Sequence, residues 1–168
     1  SAGCSACHVE YGPNGFSDGD DPTIPPRTAG HPELHQIVAT PPDSQCNHCH
    51  TRNPLTEGTE PHQRAGLGCV DCHTSIDVHG DGNAYPHMEH QVEVRCQDCH
   101  GEGGTRPWDL PLGHGTPAVG RKARGWYSAD GVQHLLSNRG NPRSNWLREG
   151  DRVVIESFLT GKRHVVPL

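Results

Sequence analysis

Eight cysteines and four histidines of this chain recur in one five-residue pattern: Cys4-Ser5-Ala6-Cys7-His8, Cys46-Asn47-His48-Cys49-His50, Cys69-Val70-Asp71-Cys72-His73 and Cys96-Gln97-Asp98-Cys99-His100. Two thiols three residues apart can both reach the vinyl groups on one edge of a porphyrin and form thioethers. The histidine that follows is then carried under the iron as its proximal ligand. No cysteine lies outside the four motifs. With 14 histidines in 168 residues, chance would place one after all four pairs roughly once in 20,000. Disulfides, zinc sites and redox pairs also use C-x-x-C spacing, but none explains the histidine at the fifth position. Four covalently bound haems c are therefore expected.

The sixth iron position separates functions. A second protein ligand suits electron transfer, whereas an open position admits substrate. Ten histidines remain after the proximal His8, His50, His73 and His100: His31, His35, His48, His62, His79, His87, His90, His114, His134 and His164. Only four are needed, and the one methionine, Met88, can serve one haem at most. Bis-histidine ligation is the expectation. His62 and His79 stand out because they flank the third motif at seven residues on either side, and His48 is disfavoured because it sits inside a motif.

The elements that must position these groups are sparse. Apolar residues make up 31% of the chain, against roughly 45–50% in ordinary globular domains. Leu, Ile, Val and Phe together number 28 of 168, while Gly and Pro number 21 and 15. Such a polypeptide buries too little apolar surface to fold alone, and porphyrin faces with iron–histidine bonds would act as its staples. The predicted fold is mostly irregular coil with a few short helices and a C-terminal β-hairpin, organised around the four haems. The apo-chain is expected to be unfolded.

Along the chain, residues 1–127 read as a tetrahaem-binding domain and 128–168 as a haem-free tail, helix plus hairpin, packed on it. His31 and His35 flank Pro32 at helical spacing, which predicts a short helix with both imidazoles on one face. The cluster Asp18-Gly19-Asp20-Asp21 offers oxygens to Ca²⁺ but lacks EF-hand spacing, so a solvated loop is the better reading. Ile76–Asn83 reads as a turn and Gln91–Arg95 as a short strand. Residues 128–139 read as a helix, capped by Ser128 or Asp130, with Val132, Leu135 and Leu136 on one face. Residues 152–159 and 163–166 read as a hairpin turning at Gly161. Trp108, Trp126 and Trp146 are expected to pack on haem faces rather than carry electrons. An end at Pro167-Leu168, straight after a strand, suggests a cut or processed terminus.

A net charge of −6 gives no footprint for nucleic acid, and no apolar run approaches a transmembrane span. No signal peptide is read, so a mature chain or fragment is expected. Ser1-Ala2-Gly3-Cys4 resembles a lipoprotein cleavage box, but Cys4 already belongs to a haem motif. Haem attachment to this motif takes place outside the bacterial inner membrane, so a periplasmic or extracellular location in a bacterium or archaeon is expected.

Three stretches carry a family resemblance: Asp21–Pro25 with Gly30–His35 and Gln45-Cys46; His62–His73; and Asp77–Asn83 leading to Cys96–Gly101. In these the chain resembles the multihaem c-type cytochromes of metal-respiring bacteria, many of them large and outer-membrane-associated or extracellular. The resemblance covers roughly residues 4–101. It implies that His62, His79 and one of His31 or His35 are distal ligands, the fourth staying open. It also implies a longer parent protein, and self-association into a filament in which one subunit lends a histidine to the next.

The expected function is electron transfer along closely spaced haems, towards redox partner proteins or extracellular acceptors, and not enzymatic. The alternative is a reductase with one open haem acting on nitrite or hydroxylamine. All four motifs end in His rather than the variant Lys of some such enzymes, which counts against it.

Overall fold

A computed structural model describes residues 3–9, 37–50, 60–113 and 122–168. The helix expected at His31 and His35, the acidic cluster 18–21 and His114 lie outside those residues. The described chain is largely coil, with seven helices of one turn or little more and one antiparallel sheet. The helices are α1 (Ser5–His8), α2 (Asp43–Asn47), α3 (Pro61–Arg64), α4 (Cys69–Cys72), α5 (Ser75–His79), α6 (Met88–Gln91) and α7 (Gln97–His100). Helices this short do not persist on propensity alone, so tertiary contacts must hold them. Among the described residues no helix is long and apolar enough to cross a membrane.

The sheet comprises β1 (Trp126–Ala129), β2 (Val132–Leu136), β3 (Pro142–Glu149), β4 (Arg152–Glu156) and β5 (Arg163–Val166), in that spatial order. The β4–β5 hairpin is where the sequence places it, with Ile155 opposite His164 and Val153 opposite Val166. The helix expected over 128–139 is instead the β1–β2 hairpin, with Ala129 paired to Val132. Asp130 and Gly131 between them have φ of +50° and +80°, the two-residue turn that matches strand twist. That Asp-Gly signal outweighs the helical spacing of Val132, Leu135 and Leu136. The strand expected at Gln91–Arg95 is also absent. Gln91 closes α6 and the next four residues run without a ladder. In the expected turn at Ile76–Asn83, Ile76 to His79 lie in α5, and positive φ angles occur only at Gly80 and Gly82 beyond it.

One core joins sheet and motifs. Trp146, Val153, Ile155, Val166 and Leu135 pack with Trp108, with Leu67 before the third motif and with Cys99 of the fourth. The sheet begins two residues before the division expected at 127/128.

Candidate haem-binding site

Each motif is one α-turn. The histidine N–H donates to the carbonyl of the first cysteine in all four: His8 to Cys4 at 3.0 Å, His50 to Cys46 at 2.9 Å, His73 to Cys69 at 2.8 Å and His100 to Cys96 at 3.0 Å. In such a turn residues i and i+3 share a face, so both sulfurs reach one edge while the histidine follows immediately beneath. None of the eight cysteines is paired in a disulfide. The thiols of Cys46 and Cys69 are hydrogen-bonded to each other, and the Asp43 carboxylate accepts the Cys69 N–H at 2.8 Å. Burial, with the Asp43 charge and Cys46 behind it, pushes the Cys69 thiol up to about 12. Burial and the Asp71 charge push Cys72 to about 11, and burial raises Cys99 well above the usual thiol range. Neutral thioethers fit these surroundings.

The histidines supply the second test of fit. His79 stands against His8 with ring centroids 6.0 Å apart and planes inclined by 29°. His62 stands against His100, also at 6.0 Å, inclined by 56°. An iron with one imidazole on each face separates the ring centres by roughly 6 Å, since each bond is about 2 Å and each ring centre lies about 1 Å further back. Both pairs therefore have the spacing that one iron between them requires. Among the described residues no second imidazole stands against His50 or His73. His87 and His90 meet edge-on at 5.5 Å, and His134 stacks on Tyr127. The His164 Nε2 is shut off by surrounding protein and has no hydrogen-bond partner, so that nitrogen cannot meet a porphyrin in this arrangement.

Tautomers are fixed in four of the proximal and paired rings. Nδ1 donates to the Val38 carbonyl from His8 at 2.6 Å and to the Pro167 carbonyl from His100 at 2.8 Å. It donates to Glu60 Oε1 from His62 at 2.5 Å and to Asp77 Oδ2 from His73 at 3.3 Å. These oxygens only accept, so the proton sits on Nδ1 and the Nε2 lone pair is left for a metal. Burial pushes the Asp77 carboxyl up, but the His73 hydrogen bond, the Glu93 N–H and the Arg143 charge outweigh it and hold it below the usual carboxylate range. A cleft of about 300 Å³ opens beside His8, His73 and His79 and is lined by Cys7, Val78 and Phe158. Val78 and Phe158 are 58% and 48% exposed, apolar surface that a flat hydrophobic group would cover.

Two motif residues escape the sequence reading. Asp71 and Asp98 occupy the same position in the third and fourth motifs, and both are buried. Each caps its own turn, accepting the Gly68 N–H at 2.8 Å and the Arg95 N–H at 3.0 Å respectively. Each is also tied to the C-terminal part. Asp71 accepts from Ser157 Oγ and Phe158 N, while its carbonyl takes Asn145 Nδ2 and Trp146 Nε1. Asp98 pairs with Arg124. Glu93, between the motifs, accepts from Ser137 and Asn141. The repeated Asp at one motif position is the signal that could have revealed these anchors.

Residues 39–107 match the family model of cytochrome c3, a stretch that contains the second, third and fourth motifs and is less than half of the chain. No curated protein matches, and no solved structure matches. The match supports a multihaem c-type cytochrome, a carrier of electrons with covalently bound haem.

Proposed function

We propose that the chain binds four haems c and passes single electrons along them, in periplasmic or extracellular respiration. The observation that carries this reading is the pairing of His79 with His8 and of His62 with His100 at 6.0 Å. Cys4 and Cys7, Cys46 and Cys49, Cys69 and Cys72, and Cys96 and Cys99 would hold the porphyrins. His8, His50, His73 and His100 would hold the irons, with His79 completing the first haem and His62 the fourth. Bound haem supplies a one-electron change between ferric and ferrous iron.

The chain's own residues do the rest. Val38, Pro167, Glu60 and Asp77 fix ring orientation through Nδ1. Val78 and Phe158 line the cleft with apolar surface that a porphyrin would cover. Asp43, reaching from α2 to the Cys69 N–H, and the Cys46–Cys69 contact keep the second and third motifs adjacent, as short electron steps need. Distal ligands for the second and third haems are expected from His31, His35 or a neighbouring subunit, the last implying self-association into a filament. Residues 128–168 act as a haem-free clamp on the motifs. Donor and acceptor are redox partner proteins or extracellular acceptors.

Intact mass and the pyridine haemochrome spectrum test the haem count, with four thioether-linked haems expected. The reduced spectrum should not change on adding carbon monoxide. Fewer than four haems refutes the tetrahaem reading. A shift that persists undiluted in the wild-type protein makes one iron open and favours the reductase reading.

A further inference from the structure

The Nδ1 partners of the paired and proximal histidines fall into two chemical kinds. His8 and His100 donate to backbone carbonyls, those of Val38 and Pro167. His73 and His62 donate to carboxylates, Asp77 and Glu60. The Asp77 side chain is 2% exposed and the Glu60 side chain 19%, so neither charge is fully screened by water. Asp77 is further fixed by the Glu93 N–H at 2.6 Å, and Glu60 by the N–H groups of His62 and Gln63 at 2.8 and 3.1 Å.

An anionic acceptor draws the Nδ1 proton more strongly than a neutral carbonyl does. The imidazole then donates more electron density through Nε2 and favours ferric over ferrous iron. Resting on the tetrahaem reading above, we propose that Asp77 and Glu60 are positioning residues that lower the potentials of the third and fourth haems below that of the first. One electron entering the chain converts one ferric iron to ferrous, with no bond broken and no proton moved. At equilibrium the electron would favour the first haem over the third and the fourth. Arg143, whose charge acts on Asp77, offsets part of the effect at the third haem. Glu60 is held mainly by hydrogen bonds from Gln63 and His62.

The test uses the holoprotein with Asp77→Asn and Glu60→Gln, which keep shape and acceptor oxygen but remove charge. Spectroelectrochemical titration of the Soret and α bands should show one component moving upward in each variant. The expected size is about a tenfold change in that iron's one-electron equilibrium, ~59 mV. The double variant should move two components and narrow the overall span. Unshifted components, with haem count and low-spin bands unchanged, overturn the inference and leave the tetrahaem reading intact. A downward shift overturns it as well. A wild-type protein lacking four haems refutes the reading itself. Should Asp77→Asn lose a haem, Glu60→Gln decides through a different iron.

Discussion

The Ser157 hydroxyl donates to the Asp71 carboxylate at 2.9 Å, joining residues 86 apart in sequence. Asp71 is 1% exposed and satisfies three donors, of Gly68, Ser157 and Phe158. Removing the carboxylate strands all three. Each buried unsatisfied group costs about 1 to 3 kcal/mol, partly relieved by relaxation. Asp71→Ala should therefore destabilise the holoprotein by about 3 kcal/mol, and Asp71→Asn by less. Denaturant unfolding followed by Soret circular dichroism checks this. A loss below about 0.5 kcal/mol would show that the sheet is not held through the third motif.

Arg124 and Asp98 form the matching tie at the fourth motif, with the Arg124 side chain 10% exposed and the Asp98 side chain fully buried. Breaking such a pair from one side leaves a buried charge without its partner, which typically costs about 3 to 5 kcal/mol. Arg124→Leu should fall in that range. Replacing both, as Arg124→Leu with Asp98→Asn, should recover much of the loss. A double-mutant cycle on unfolding free energies tests it, and additive single effects would mean that the pair does not couple.

These ties explain what the sequence reveals and what it hides. The four motifs, and the β4–β5 hairpin with its Val153-Val154-Ile155 run, are local patterns and can be read directly. β3 cannot, because its buried positions include Arg143 and Asn145 alongside Trp146 and Leu147. Their burial depends on the Cys72 and Asp71 carbonyls more than 70 residues away. The partnership of His79 with His8 and of His62 with His100 is hidden for the same reason. The spacing of His62 and His79 around the third motif singles them out without saying that they face the fourth and the first.

Gly101 follows the fourth motif with φ of +69°, and a β-carbon there would lie 2.3 Å from the Thr105 carbonyl oxygen. With ψ of −169° the residue sits in a backbone region open essentially to glycine alone, which by itself disfavours alanine by roughly 1 to 3 kcal/mol. The clash with backbone forces a further shift next to His100. Gly101→Ala should thus lower stability by about 2 to 4 kcal/mol. Gly131→Ala, where nothing lies within 4 Å, should carry only the conformational part. Comparing the two by thermal unfolding shows what the Thr105 contact and the glycine-only backbone of Gly101 add beyond an ordinary turn glycine. Equal losses would mean that the Gly101 loop gives way freely.

His79→Ala and His62→Ala should each open one iron, and a different one. In the reduced state each variant should bind carbon monoxide at about one quarter of its haem, and the double variant at about one half, with no shift in the parent protein. Separate sites also make the two effects additive. If both variants opened the same haem, the double would bind no more than either single, and the pairing of His79 with His8 or of His62 with His100 would be wrong. Added imidazole should restore the six-coordinate spectrum in each single variant by filling the space the side chain left. Such rescue separates a lost ligand from a misfolded chain, because a collapsed site would not recover its spectrum.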